Sequence, residues 1–275
     1  MTVRYRRRVR SDEPALRARL RQLARKHPRY GLRRIFALLR REAWRVNRKR
    51  VHRLWKAEGL QRRRKRTRKR ACGPTPGLPV QAAHPNHVWS YDFIEDRTER
   101  GGKLRMLNVL DAYTRACHHI RVDRSIGAAK VIASLEWLFL LHRAPRYLRS
   151  DNGPERIAKA LQEWLADRGA KTLYITPGSP WENLYIESFN DKFRDECLNM
   201  HVFLDGCHAQ EVVENWRTHY NEERPQSSLN YQTPRAFAAH WRNSSRPTAS
   251  LRSVNANNPQ LVQTTKTKTL TAAGT

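Results

Sequence analysis

No stretch of this sequence is apolar enough to enter a bilayer: its longest greasy patch is WLFLL, Trp137–Leu141, where a spanning helix needs about 20 residues. The cationic start, Arg4–Arg10, has no apolar segment behind it, so neither secretion nor membrane insertion is expected. Cysteine is scarce. Cys72, Cys117, Cys197 and Cys207 form no CxxC pair and no disulfide spacing, which points to free thiols in a reducing, cytoplasmic setting, each a small buried apolar residue. With no Cys pair near His118-His119, or near His84 and His87, a zinc site has no support. A P-loop is also missing, so nucleoside triphosphate chemistry has no foothold.

The most informative shortage is of acid. Residues 1–70 hold 29 of the 54 Lys and Arg but only 4 of the 25 Asp and Glu, while the other 205 residues carry 25 basic and 21 acidic groups. A formal net charge of +29 calls for a polyanionic partner. Its placement makes the cationic part an N-terminal device ahead of a nearly balanced body. At 275 residues the chain has room for one substantial core and a smaller module.

Leu16, Leu20 and Leu23 recur with helical spacing before the turn HPRYG, His27–Gly31; Leu32, Ile35, Leu38 and Leu39 mark a second helix. Asn47 is placed to cap a third, with Val51, Leu54 and Trp55 inward and Gly59 at its end. The outward face of that helix carries Arg48, Lys49, His52, Arg53 and Lys56. Three short helices with a basic last one suit a helix-turn-helix, whose final helix enters the DNA major groove. Then comes QRRRKRTRKR, Gln61–Arg70. Arg62, Arg63, Arg64, Lys65 and Arg66 begin a run that repels itself until phosphates order it, giving affinity without sequence choice. ACGPTPGLP, Ala71–Pro79, reads as a linker.

From Val88 the period changes to two. VWSYDFIE puts Trp89, Tyr91 and Phe93 on one face of a strand and Ser90 and Asp92 on the other. Turns at Gly101-Gly102 and at DAYT, Asp111–Thr114, join it to strands over 103–110 and 115–122. The pattern then alternates: a helix near 127–142, a strand at 147–150, a helix near 154–167, a strand at 171–175 and a helix from about Trp181. This order predicts an α/β fold with a mixed five-stranded sheet flanked by helices.

Three acids stand out on this frame. Asp92 lies in the first strand, on its less apolar face. Asp151 ends the fourth strand in SDNGPE, where Pro154 suits the start of a helix. In WENLYIESFN, Ile186, Phe189, Phe193 and Cys197 form a core-facing stripe. Glu187 sits about 100° off it, on the side of Asn183, Asn190, Asp191 and Arg194. Each acid alone has an ordinary explanation, as Asp111 and Asp123 do beside their turns.

Together, the strand aspartate of WSYDFI, the LRSDNGPE motif, and a glutamate after 35 intervening residues with Arg194 seven further on resemble the DDE signature of bacterial insertion-sequence transposases. These belong to the ribonuclease H-like, retroviral-integrase superfamily. The nearest likeness is to orfB products of the insertion-sequence-three family. Upstream, RYGLRRIFALLRREAWRVNRKRVHRLWKAEGL resembles the helix-turn-helix that precedes their core; downstream, YNEERPQSSLNYQTPRAF, Tyr220–Phe237, resembles their closing segment. Two departures concern packing: Arg156 stands where an aromatic is common, and Gln226 where His is common.

The resemblance implies a DNA transposase that cuts 3′ ends and transfers strands, with Asp92, Asp151 and Glu187 as catalytic metal ligands. Two Mg²⁺ ions, with Mn²⁺ able to substitute, would be held with Asp92 bridging both. Asn152, Lys192 and Arg194 become candidate DNA contacts beside the site, joining Arg48, Lys49, Arg53, Lys56 and the basic arm. Implied partners are double-stranded DNA (element ends and target), an upstream-frame orfA product and further copies of the chain on DNA, in a bacterial cytoplasm and its nucleoid. The alternatives are a ribonuclease H or resolvase type of nuclease, a catalytically silent transposase-derived DNA binder, and a general nucleoid-type protein, whose charge should instead be spread. Trp216, Tyr220, Tyr231, Phe237 and Trp241 are expected in the core. The expected organisation is a helix-turn-helix module over 1–60, a basic arm and linker over 61–84, an integrase-type core with a helical extension over 85–242, and a disordered tail over 243–275.

Overall fold

A computed structural model describes residues 10–61, 80–150, 155–175 and 183–244, with 155–158 as backbone alone. Asp151, Asn152, Arg62–Arg66, Cys72, Pro154 and residues 245–275 lie outside the described residues, as does the Arg156 side chain.

Three helices open the chain: α1 (Glu13–Lys26), α2 (Leu32–Arg41) and α3 (Arg48–Ala57). Their apolar stripes meet in one small core of Leu16, Leu20, Leu23, Tyr30, Ile35, Leu39, Val51, Leu54 and Trp55. The expected caps are in place. The Asn47 side chain accepts from the Lys49 backbone N–H at 2.8 Å. Gly59 takes the left-handed conformation, φ 65°, which lets the Leu60 N–H turn back to the Trp55 carbonyl at 3.1 Å.

The body is built on five strands: β1 (Val88–Arg97), β2 (Lys103–Asp111), β3 (Cys117–Asp123), β4 (Tyr147–Ser150) and β5 (Lys171–Tyr174). Their order is β3-β2-β1-β4-β5. The first three form an antiparallel meander, and β4 and β5 add to β1 in parallel. Helices α4 (Ala128–His142) and α5 (Glu155–Ala166) cover one face; α6 (Leu184–Glu196) and α7 (Gly206–Glu222) cover the other. Helix α8 (Pro234–Ser244) follows. This is the mixed sheet that the alternation of periods predicts, and the architecture of a ribonuclease H-like core.

Alternation along the strands decides what each layer contains. Trp89, Tyr91, Leu107, Val109 and Leu148 pack with Val131, Leu135 and Leu138 of α4 and Leu161 and Leu165 of α5. Ile94, Leu104, Met106 and Ile120 face the other way, onto Ile186, Phe189 and Phe193 of α6 and Val213, Trp216 and Tyr220 of α7. Asp92 and its cross-strand partner Asn108 therefore point toward α6.

Two sequence expectations need correction. Cys117 and Cys197 are buried, but Cys207 is exposed: it is the second residue of α7, in an outer first turn that Asp205 caps by accepting from the His208 N–H at 2.8 Å. Of the closing aromatics, Trp216 and Tyr220 are core. Tyr231, Phe237 and Trp241 are only half-buried, because α8 lies at the rim, where Phe237 and Trp241 approach Tyr113. Gln226 is buried, with its Oε1 accepting from Arg224 Nη1 at 2.6 Å and its Nε2 without a partner among the described residues.

Candidate functional site

Asp92 and Glu187 come from elements far apart in sequence that share one layer. The link between them is Asn190, three residues after Glu187 and so on the same side of α6. Its Nδ2 donates to Asp92 Oδ2 at 2.7 Å, and its Oδ1 accepts from Asn108 Nδ2 at 2.7 Å. The other oxygen of Asp92 accepts from the Phe93 N–H at 2.7 Å. The half-buried Asp92 carboxylate is thus held at both oxygens.

Asn108 was not among the residues singled out from the sequence, although a signal was there. It is the polar residue at the buried phase of KLRMLNVL, between Met106 and Leu110, which both pack against α6 and α7. Its side chain is fully buried, and its Oδ1 has no hydrogen-bond partner among the described residues. A buried amide half-satisfied in this way is costly. Asn108 stands behind Asp92, joined to it through the Asn190 amide.

Glu187 is solvent-exposed, yet its carboxyl is raised above the ordinary glutamate range by partial desolvation and, secondarily, by the charge of Asp191. An acid that resists ionisation for these reasons is relieved by a nearby cation. Hard oxygen donors of this kind fit Mg²⁺ or Mn²⁺ better than softer metals. Among the described residues no three His, Cys, Asp or Glu side chains gather as a metal group. Asp151, the third expected ligand, follows Ser150 at the end of β4, the parallel neighbour of β1.

The expected DNA contacts divide into three sets. Arg48, Lys49, Arg53 and Lys56 all lie exposed on α3, although Arg53 also reaches the buried Glu13 at 3.4 Å. Arg194 donates to the Glu95 carbonyl at 3.0 Å, tying α6 to β1 with its charge still exposed. Lys192 donates to Ser188 Oγ at 2.9 Å. Desolvation and the nearby guanidinium groups of Arg224 and Arg34 push its ammonium down to about 8. The third set, Arg62–Arg66 and Asn152, lies outside the described residues.

Docking of the three-helix module against the body is a feature the linear reading did not reach. Arg34 Nη1 of α2 donates to Glu196 Oε1 of α6 at 2.8 Å, and the fully buried Arg224 donates to both oxygens of the same carboxylate at 2.6 and 2.7 Å. Burial alone would raise the Glu196 carboxyl, but the two guanidinium groups outweigh it and hold it below the usual range. Tyr30 Oη meets His219 Nε2 at 2.9 Å. Arg41 donates to the carbonyls of Glu223 and Tyr231, each at 2.7 Å.

Comparison with known proteins gives three family matches: an HTH-like domain over residues 11–68 and integrase core domains over residues 82–180 and 168–234. An insertion element IS407 protein of 31.7 kDa from Burkholderia multivorans is 41% identical over 231 residues, covering 84% of this chain and 83% of that protein. An insertion element IS476 protein of 39.2 kDa from Xanthomonas euvesicatoria is 42% identical over 228 residues; the chain spans 66% of its length, and 83% of this chain is covered. The transposase InsD for insertion element IS2 of Escherichia coli is 27% identical over 240 residues, covering 76% of this chain and 73% of that one. Among solved structures, the catalytic core domain of HTLV-2 integrase in complex with magnesium is similar with a TM-score of 0.42 and 16% identity, covering 57% of this chain and 98% of that one.

Proposed function

Since this chain belongs to the insertion-sequence-three family of orfB transposases with an integrase core, we propose that it catalyses metal-dependent cleavage at the 3′ ends of an insertion sequence and transfers those ends to target DNA. The observation that supports this reading is the bridge from Asp92 through Asn190 to Asn108, in which the β1 carboxylate is bonded to a residue one helical turn along α6 from Glu187. Asp151 completes the set as the residue after β4. Divalent ions, Mg²⁺ first and Mn²⁺ as a substitute, would supply charge at the attacking and leaving oxygens of the phosphodiester.

The chain's own residues have distinct tasks. Asp92, Asp151 and Glu187 offer carboxylate oxygens. Asn190 fixes the rotamer of Asp92, and Asn108 fixes Asn190. In the first step a water oxygen bonds to phosphorus, the bond to the 3′ oxygen breaks, and that oxygen takes up a proton released by the water to become a free hydroxyl, leaving the phosphate on the 5′ end of the flanking strand. In the second, the new 3′ oxygen bonds to a target phosphorus and the target's own 3′ oxygen leaves, so the number of phosphodiester bonds is conserved. Neither step needs a nucleotide cofactor or a covalent protein intermediate.

Helix α3 would read the element end through Arg48, Lys49, Arg53 and Lys56, the basic arm would hold phosphates, and Lys192, Arg194 and Asn152 would contact DNA beside the site. The division into a 1–60 module, a 61–84 arm and linker, an 85–242 core and a tail is part of the same proposal, as are assembly on DNA, an upstream-frame partner and a place on the bacterial nucleoid. Among the described residues no helix is long and apolar enough to cross a membrane.

The test is a cell-based assay. The chain, with any upstream frame, is supplied to a plasmid carrying its flanking DNA ends, and joined ends are counted by sequencing beside Glu187→Gln. Junctions from the native chain and none from the variant are expected. Equal counts from both would refute the carboxylate mechanism, and retained DNA binding with no junctions from either would favour the silent binder.

A further inference from the structure

A groove of about 750 Å³ runs between α2 and the closing segment, lined by Arg33, Phe36, Ala37, Arg40 and Arg41 on one side and by residues from Glu222 to Ala236 on the other. The α2 residues follow helical spacing and form one face, next to the Ile35 and Leu39 stripe that enters the module's core. Arg48, at the first turn of α3, also lines it. The groove is therefore continuous with the helix that the proposed function assigns to the DNA major groove.

Its charge is unbalanced. Four arginines line it against a single acid, Glu222, which is already paired with Arg235 outside the lining. Arg41 is spent on holding the two walls together through the Glu223 and Tyr231 carbonyls. The side chains of Arg33, Arg40 and Arg48 have no hydrogen bond or ion pair among the described residues. All three are exposed. Phe36 and Ala37 on one side and the half-buried Tyr231 on the other supply apolar surface.

The far wall contains two strained residues. Asn230 and Tyr231 are consecutive non-glycine residues with left-handed φ of 50° and 62°, a conformation that costs free energy and persists only where the surroundings impose it. Here the Tyr231 N–H donates to the Gln226 carbonyl at 2.8 Å and the Gln232 N–H to the Leu229 carbonyl at 2.9 Å.

We propose that this groove seats the sugar–phosphate backbone of the DNA whose major groove α3 occupies, so that the closing segment is a wall of the DNA clamp as well as a structural cap. The inference rests on the DNA-binding part of the proposed function. Arg33 and Arg40 meet phosphates, Arg48 stands where the groove joins the major-groove helix, and Phe36 and Tyr231 lie against the deoxyribose. Contacts of this kind hold register without reading sequence.

Duplex binding by the full chain, measured by fluorescence anisotropy across salt concentrations, tests this. One probe carries the flanking element end and the other the same bases scrambled. Each phosphate contact contributes about 0.9 to the slope of log affinity against log salt. Arg33→Gln with Arg40→Gln is expected to flatten the slope by about 2 on both probes, whereas Arg97→Gln with Arg100→Gln on the β1–β2 hairpin leaves it unchanged. Glu222→Gln tightens both probes severalfold, an effect of opposite sign that misfolding does not produce. A benzophenone amino acid placed at Gln232 crosslinks to DNA. An unchanged slope in the Arg33/Arg40 variant of a chain that still binds DNA, or a crosslink from position 232 to protein alone, overturns the groove and leaves the proposed function standing. Absence of DNA binding by the native chain overturns both.

Discussion

Removing the Asn190 amide tests the link between fold and chemistry most directly. In Asn190→Ala two hydrogen bonds of 2.7 Å disappear, one to Asp92 and one from Asn108. Asp92 is half-exposed and can recover part of its loss from water. Asn108 cannot, because it is fully buried and its Oδ1 already lacks a partner. The stability cost is therefore dominated by the stranded Asn108 donor, about 1–3 kcal/mol, or roughly 2–4 °C of melting temperature per kcal/mol for a protein near this size. The catalytic cost is of another kind. A freed Asp92 samples other rotamers, and a carboxylate misplaced by about 1 Å can lose on the order of 100-fold in rate. Thermal unfolding and junction counts for Asn190→Ala, Asn108→Ala and the double variant form a cycle in which the pair should be clearly less than additive. Full additivity in stability together with native junction counts in Asn190→Ala would remove the positioning role.

Three further outcomes follow from the electrostatics. The Glu187 carboxyl, followed by ¹³C NMR, should titrate above the ordinary glutamate value of 4.5 and move down when Mg²⁺ is added; a titration indifferent to Mg²⁺ argues against a metal role for this residue. With its folded value raised, Glu187 favours the folded state below the unfolded value and loses that contribution as pH rises through the folded one, so Glu187→Gln should melt no lower than the native chain at neutral pH. Arg224→Met strands the buried Glu196 with Arg34 as its remaining partner and should cost about 3–5 kcal/mol, read by denaturant unfolding; a loss under about 1 kcal/mol would mean the pair contributes little. Glu196 has a depressed folded value, so its stabilisation is present above the unfolded value and is lost as pH falls through the folded one. Lys192, pushed down to about 8, should react with acetic anhydride at pH 8 ahead of the exposed Lys49 and Lys56, as mapped by mass spectrometry; equal reactivity contradicts its desolvated setting.

What the sequence determined by itself was whatever repeats locally. The shift from helical spacing to alternation at Val88, the Asn47 and Gly59 caps, the stripe of Ile186, Phe189 and Phe193, and the facing of Asp92 away from Trp89 and Tyr91 follow from chain geometry within a few residues. The expectation of three catalytic carboxylates came from motif and spacing. The tertiary structure alone decided the contacts between residues far apart in the chain. Asn190 meets Asp92 across 98 positions and Asn108 across 82, and Arg34 meets Glu196 across 162. No local period encodes such pairs, because each depends on how layers pack, and packing joins surfaces whose sequence separation is arbitrary. The groove beside Arg33 and Arg40 has the same origin. Its two walls are ordinary in sequence, a basic helix and a polar turn, and become a cationic cleft only when α2 docks against the closing segment.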